Sequence, residues 1–468
     1  MTLLVLTALL RAKSGRALRL AAVAVVALAA VSCPRAAHRA ESAGSGLGID
    51  ALHQVEAIAA AEDIWPDGGA EADAATAGDT TGLVHVVPLE IGPMERFFAA
   101  LARTERDALG LVRVVHYGDS HTAADLMTAA IRRALQDRFG DGGRGFIALG
   151  RPWKSYRPKD VEIAASSGGD WRAERVLVAV DPAKLDGRYG LGGVCTMGSR
   201  RDAFVRVATA SGGDYGDEAA SFDVYYMVQR GGGSFEVLVD GRPVGTVATN
   251  GAGPRSGFFK AGVEPGPHEL EVRLRGDGEV RLFGVAIEGR GPGIVYDNLG
   301  VNGAFFYTPL RWDGALLAEQ IERRSPDLIV AMYGSNEVDS RTIAEESYRA
   351  DVRRVMTRFR EGAPDASCLL LGPPDRKGRD PRAGAAQLAW IIEAQRDVAD
   401  EIGCGFIDLQ GLMGGPGSQD AWVRQGLARS DGVHLTARGY RVVGERLAEE
   451  IVGAYEEYHE GNPLAGTE

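Results

Sequence analysis

Two periodicities that cannot share one layer alternate along this chain, and their order restricts the folds open to it. In residues 91–159 and again in 289–460, short apolar β-prone runs alternate with segments whose apolar residues recur at helical spacing. Between them, residues 160–288 carry the two-residue alternation of half-buried strands, clearest in 222–228, 235–239 and 270–274, with turn signals at Asp240-Gly241 and Gly276-Asp277-Gly278. Strand and helix in alternation with short connections imply a parallel sheet covered on both faces. The middle stretch reads as an antiparallel β-sandwich. The expected fold class is therefore three-layer α/β/α with a β-sandwich domain inserted into it. Strands are expected at 111–117, 294–298, 327–332, 367–371 and 405–409, and helices at 94–108, 123–139, 310–324, 343–360, 384–402 and 437–455.

Three polar segments lie where an apolar run gives way to a loop: Gly118-Asp119-Ser120-His121, Gly334-Ser335-Asn336-Glu337 and Asp431-Gly432-Val433-His434. In open α/β sheets that edge is where sites assemble. A strand, a tight turn carrying Ser120 and a following helix is the arrangement that exposes a nucleophile at a sheet end. An unactivated hydroxyl needs an imidazole to take its proton and fixed donors to hold the developing oxyanion, so Ser120, Asn336, Asp431 and His434 together suggest a serine-dependent acyl-ester hydrolase. Each residue also has a plainer reading. Ser120 could cap a helix, Asn336 could shape a turn, and Asp431-Gly432 is a common turn pair. Asp119 reads as a turn residue bonded to nearby backbone. His116, His121 and Asp125, with Asp119, Asp431 and His434, have the donor chemistry of metal ligands, although His116 alternates with Tyr117 along a strand and can face the other way.

Taken together, the motifs resemble those of the SGNH (GDSL-type) hydrolase family: Gly118-Asp119-Ser120 its first block, Gly303 its glycine block, Asn336 its asparagine block, and Asp431 with His434 its last, in family order. The resemblance implies the SGNH-hydrolase fold, with Ser120 as nucleophile, His434 as base and Asp431 as its orienter. It implies an oxyanion hole from the N–H groups of Ser120 and Gly303 and the Asn336 amide, and no metal or other cofactor. His121 stands where leucine is commonest and Glu337 where aspartate is usual; both are assigned to the substrate pocket. An insertion between the serine and glycine blocks looks like that of the family's peptidoglycan O-acetylesterases, which carry a carbohydrate-binding-like domain there. Trp171, Tyr189, Tyr215, Tyr225 and Tyr226 of the insert could stack on sugar rings, or fill its core.

The chain has 468 residues, with 52 Lys plus Arg against 64 Asp plus Glu and a formal charge of −12. That balance argues against a nucleic-acid partner, since phosphate binding needs a basic surface. Arg11, Lys13, Arg16 and Arg19 precede the apolar run 20–31, which is short for a membrane span and reads as an export signal. Residues 1–33 are thus a signal peptide or lipoprotein signal, with Cys33 as the residue to be lipidated, cleaved behind or kept in an anchor. Residues 34–90, rich in Ala, Gly, Asp, Glu and Ser, read as a flexible linker. Cys368 and Cys404 are expected as core thiols in or beside neighbouring strands, with a disulfide between them as the alternative. The reading that follows is an exported esterase acting on O-acetyl groups of a cell-envelope glycan, peptidoglycan first, in the periplasm or envelope and touching membrane only through an N-terminal lipid or anchor. An O-acetyltransferase using the same site is one alternative; a non-catalytic glycan-binding envelope lipoprotein is another.

Overall fold

A computed structural model describes residues 82–177, 186–340 and 342–462. The signal, Cys33 and most of the linker lie outside the described residues. The described part opens with helix α1 (Glu95–Asp107), whose Phe97, Phe98 and Leu101 are buried, and Ala108 ends it in the left-handed region at φ 49°. Strand β1 (Leu111–Gly118) follows, then the short helix α2 (Ser120–Ala123) and helix α3 (Met127–Phe139). Strand β2 (Gly145–Ile147) leads into the insert.

The insert's strands are β3 (Val161–Ala165), β4 (Arg172–Arg175), β5 (Val194–Gly198), β6 (Phe204–Thr209), β7 (Ala219–Val228), β8 (Ser234–Val239), β9 (Arg242–Ala248), β10 (Arg255–Gly266), β11 (Glu269–Leu274) and β12 (Val280–Glu288). They form two sheets, β10-β7-β12-β5-β4 and β3-β6-β11-β8-β9. β2 pairs antiparallel with β12, so antiparallel pairing begins at Gly145, ahead of the expected residue 160. The chain then returns through β13 (Gly293–Gly300), α4 (Gly314–Arg324), β14 (Leu328–Met332), α5 (Glu345–Glu361), β15 (Ser367–Gly372), α6 (Pro381–Ile402), β16 (Gly405–Asp408), the short α7 (Leu409–Leu412) and α8 (Ser418–Arg424), and α9 (Ala437–Gly461).

The host sheet has the order β13-β1-β14-β15-β16, and every pairing in it is parallel. Its strands bury both faces because alternate side chains enter two different cores. Val112 and Val114 of β1 pack with α1, α3 and α9, while Val115 and Tyr117 pack with α4, α5 and α6. The expected α/β/α layering with an inserted antiparallel domain is the observed one.

The insert departs from expectation in how it is covered. Phe222, Val224, Tyr226 and Val228 of β7 fill the space between its two sheets. Their alternates Tyr225 and Met227 join the core that contains Leu317 and Ile321 of α4. One sheet of the sandwich is thus packed on the host rather than open to solvent. This corrects the stacking expectation for most of the aromatics. Tyr189, Tyr225 and Tyr226 are buried, and the Trp171 indole N–H is bonded to Ser166 Oγ at 3.1 Å and the Phe204 carbonyl at 3.2 Å, its ring against the sandwich core. Trp171 and Tyr215 are the partly exposed ones, and Tyr215 stands clear of the sandwich core, with its hydroxyl donating to Asp137 at 2.8 Å and the Arg133 guanidinium 5.2 Å over its ring.

A second correction concerns the cysteines. Cys368 and Cys404 are joined in a disulfide, their Cα atoms 4.8 Å apart, the alternative to the core thiols expected first. Cys404 directly precedes β16, the strand that pairs with β15 on which Cys368 sits, and this adjacency brings the sulfurs together. Among the described residues no helix is long and apolar enough to cross a membrane.

Candidate active site

Ser120 is placed by two glycines that let a helix settle against the sheet end. Gly118 and Gly300 are register partners at the ends of β1 and β13. A Cβ on Gly118 would lie 2.0 Å from Thr122 Oγ1, and one on Gly300 2.2 Å from the Ala123 nitrogen. Any larger residue at either position would push α2 off the sheet edge. Asp119 caps this helix, its Oδ1 accepting the His121 N–H at 2.9 Å, so the turn role expected of it is the one it has. Asn298 adds a further brace, donating from Nδ2 to the Thr122 carbonyl at 2.7 Å.

The structure brings Ser120, His434 and Asp431 into one hydrogen-bonded series. Ser120 Oγ lies 2.9 Å from His434 Nε2, and His434 Nδ1 lies 3.1 Å from Asp431 Oδ2. The other oxygen of Asp431 accepts the N–H groups of Val433 at 2.8 Å and His434 at 2.9 Å. One carboxylate therefore does both jobs that the sequence left as alternatives: Oδ1 folds the Asp-Gly-Val-His turn and Oδ2 faces the imidazole. Burial alone would raise the Asp431 pKa, but hydrogen bonds from the His434 ring and from the His434 and Val433 N–H groups outweigh it and hold the carboxyl well below the usual range. Gly432 sits at φ 75°, and its carbonyl accepts the Lys377 N–H at 2.7 Å, fixing the turn to the loop after β15. Ser120 is 7% exposed and His434 6%, while the Asp431 side chain at the rim keeps 34% of its surface.

The candidate oxyanion donors come from two touching loops. The Gly303 turn follows β13 and is tied to β1 by the Val301 N–H donating to the Gly118 carbonyl at 2.9 Å. Asn336 follows β14 and its amide donates to the Ala304 carbonyl at 2.8 Å. An amide carries two N–H groups, so this bond engages one of them. Gly303 adopts φ 79°, a left-handed turn conformation that favours glycine.

Two assignments to the substrate pocket are corrected. His121 and Glu337 are both fully buried at 0% exposure. The His121 ring lies 5.2 Å from that of His434, and its Nδ1 is 2.9 Å from the Tyr440 hydroxyl on α9. Burial, and after it the neighbouring His434, keeps His121 uncharged, far below the ordinary imidazole pKa. Glu337 turns inward instead of toward the cleft: its Oε1 accepts the Phe306 N–H at 2.5 Å. Burial pushes its carboxyl up to about 8, against that hydrogen bond, and pushes Asp119 up to about 7, against the His121 N–H and the Arg376 guanidinium.

The residues weighed as metal ligands do not form one ligand set: Asp119, His121, Asp431 and His434 are engaged with one another and with Tyr440 at the catalytic edge, and His116 and Asp125 have partners elsewhere. His116 faces the opposite core, its Nδ1 2.8 Å from the Tyr296 hydroxyl, and burial lowers its pKa to about 3. Asp125 accepts from Arg144 Nη2 and the Lys159 N–H, both at 2.7 Å, and from Thr128 Oγ1 at 2.7 Å, and so joins the nucleophile's helix to the start of the insert. Among the described residues no group of three or more His, Cys, Asp or Glu is placed to hold a metal ion. Sequence reasoning missed Asn298 and Arg376. Arg376 donates to the Ser335 carbonyl and, at 2.5 Å, to Asp339, bracing the Asn336 loop; no local motif marks either residue.

Residues 261–442 match the GDSL-like lipase/acylhydrolase family, a span that includes Gly303, Asn336, Asp431 and His434 and starts after Ser120. The chain carries a GDSL-like lipase/acylhydrolase domain. Carboxylic ester hydrolysis is the activity class of such a domain. The fold of the whole hydrolase is similar to that of a solved peptidoglycan O-acetylesterase, with a TM-score of 0.64 at 24% identity over 78% of this chain and 97% of that one. A lipase/acylhydrolase from Enterococcus faecalis gives a TM-score of 0.27 at 20% identity, covering 35% of this chain and 77% of its own. A family two carbohydrate esterase from Clostridium thermocellum gives 0.26 at 14% identity, covering 55% and 95%. No curated protein matches the sequence.

Proposed function

We propose that the protein is an exported serine esterase that removes O-acetyl groups from a cell-envelope glycan, with peptidoglycan the first candidate. The observation that carries the chemistry is the Ser120–His434–Asp431 series, with contacts of 2.9 and 3.1 Å. His434 takes the Ser120 proton as Oγ attacks the acetyl carbonyl, and Asp431 holds the ring and stabilises the imidazolium that forms. The Ser120 and Gly303 N–H groups and the Asn336 amide receive the oxyanion. Collapse expels the sugar oxygen, which takes the proton back from His434, and water then releases acetate by the same route.

The substrate class has a support of its own. It is supported by the likeness in fold to a protein whose name is peptidoglycan O-acetylesterase, over a stretch long enough to take in much of the insert. The insert as a glycan-binding domain has two partly exposed aromatics to recommend it, Trp171 and, clear of the sandwich core, Tyr215. Replacing Tyr215 by alanine is expected to raise KM for an acetylated polymer a few-fold while a small aryl acetate is turned over unchanged, as when remote binding energy is lost. Export is supported by the basic-then-apolar N-terminus and by the Cys368–Cys404 disulfide, a bond that persists in oxidising compartments. Lipidation of Cys33 belongs to the same proposal, and mass spectrometry of the mature N-terminus decides it.

The experiment that tests the function measures acetate release from O-acetylated peptidoglycan, acetylated xylan and an aryl acetate side by side. Preference for peptidoglycan supports the reading. Preference for xylan moves the substrate to another glycan, and acetyl transfer to an added sugar in place of release makes the protein a transferase.

A further inference from the structure

Glu337 is a buried acid with a specific connection. It lies one residue beyond Asn336, and its carboxyl reaches a backbone N–H 31 positions earlier, that of Phe306. Phe306 is three residues past Gly303. The segment 301–308 is held at its start by Val301 on the Gly118 carbonyl and in its middle by the Asn336 amide on the Ala304 carbonyl. Phe305 N–H closes on Thr308 Oγ1 at 2.9 Å. Without Glu337 the Phe306 N–H would be buried and unpartnered, which is costly enough to make the turn rearrange. The acid itself is anchored from behind, because Gln387 Nε2 donates to the Glu337 carbonyl at 2.8 Å and to the Ser340 carbonyl at 2.7 Å. Apolar rings complete its surroundings, with Phe306 packed 5.2 Å from Tyr333 and 5.9 Å from Tyr348, centroid to centroid.

We propose that Glu337 is a positioning residue for the oxyanion hole, which through its bond to Phe306 N–H, and in concert with the Asn336–Ala304 bond, locks the Gly303 turn against the end of β1. The proposal rests on the reading of Gly303 and Asn336 as oxyanion donors. It assigns Glu337 no contact with substrate. What the reaction needs from it is an acceptor oxygen at a fixed place, and glutamine supplies the same acceptor with nearly the same shape. A donor array of this kind must be held to within about 0.5 Å to be effective.

The test compares Glu337→Gln with Glu337→Ala in the full chain, reading kcat and KM on an aryl acetate together with hydrogen exchange in peptides spanning 301–308. Glu337→Gln is expected to keep kcat within about threefold and wild-type exchange. Glu337→Ala is expected to lose about tenfold to a hundredfold in kcat with KM nearly unchanged, the signature of a misplaced transition-state donor, and to exchange faster in 301–308 but not in 367–372. A kcat in Glu337→Ala equal to wild type overturns the proposal. So does an equal loss in both variants, which would make the acid's proton or charge the active property, or a change confined to KM, which would make Glu337 a substrate contact. If Ser120→Ala proved fully active, the oxyanion reading would fall; the exchange data would then still decide whether Glu337 holds the turn.

Discussion

Buried carboxyl groups behave in opposite ways at the two places where this molecule concentrates them. At the seam between the insert and the host, each acid is matched to arginine. Asp297 meets Arg324 through two bonds of 2.5 and 2.9 Å and also accepts the Phe146 N–H at 2.7 Å. Glu288 meets Arg113 at 2.7 Å and Arg324 at 2.5 Å, and Asp125 meets Arg144. At the catalytic edge, the acids behind Ser120 have no such partner. Asp119 Oδ2 and Glu337 Oε2 are buried with no hydrogen-bond partner among the described residues, as are His121 Nε2 and Ser335 Oγ. At the seam arginine overrides burial, holding Glu288 below the usual carboxylate range and Asp125 at about 2; at the edge burial prevails. The seam is a set of charged ties that fastens a β-domain to an α/β-domain. The edge leaves its two buried acids without an ion-paired cation, the cost commonly met where groups are arranged for chemistry.

The comparison breaks most visibly at the seam. Arg324→Ala strips the fully buried Asp297 of its cation and is expected to cost about 3–5 kcal/mol in urea unfolding, the range for removing one partner of a buried pair. Turnover of a small ester by the molecules that remain folded should be unchanged; a matching loss of kcat would mean that seam and edge are one unit. At the edge the balance reverses. Asn336→Ala is expected to reduce kcat by about a hundredfold with little loss of stability, and a stability loss as large as that of Arg324→Ala would make the residue structural.

Smaller and slower to appear is the pH dependence. Glu288 and Asp125 have folded pKa values below the unfolded ones, so their contribution is present above about pH 4–4.5 and is lost as pH falls through the folded values. Asp119 and Glu337 run the other way. Their contribution is complete below the unfolded carboxylate pKa and is lost as pH rises through about 7 and about 8. The charges facing Glu337 include Asp119 and Asp351, both of which disfavour its ionisation. Glu337→Gln should therefore lessen the decline in stability between about pH 4.5 and 8 while leaving the acid limb as it was, as chemical denaturation across that range would show. An altered acid limb would place the titrating group elsewhere.

The motifs after β1 and β14 were legible because a parallel sheet gathers the loops after its strands at one edge, so Ser120 and Asn336 could be placed near one another from strand endings alone; His434 follows α8 rather than a strand and reaches that edge through the loop before α9. Side-chain direction was harder to read. Glu337 follows Asn336 and was assigned to the same pocket, but the 3-10 turn at Glu337–Asp339 points it into the protein. Tyr225 and Tyr226 alternate along one strand, yet alternation does not reveal that both sides are covered, one by the partner sheet and one by the host. The disulfide depended on the approach of two positions 36 residues apart, which no local pattern carries. Asn298 and Arg376 act through bonds across the fold and leave no motif at all.

The central claim is that Ser120, deprotonated by His434, is the nucleophile of an esterase. It is tested most directly by the rate of acetate release from an aryl acetate and from O-acetylated peptidoglycan with wild-type protein and with Ser120→Ala, their folding compared by circular dichroism. The account predicts release by the wild type and a loss of about 10⁴-fold or more in Ser120→Ala at an unchanged fold. Hydrolysis by Ser120→Ala at the wild-type rate would contradict it.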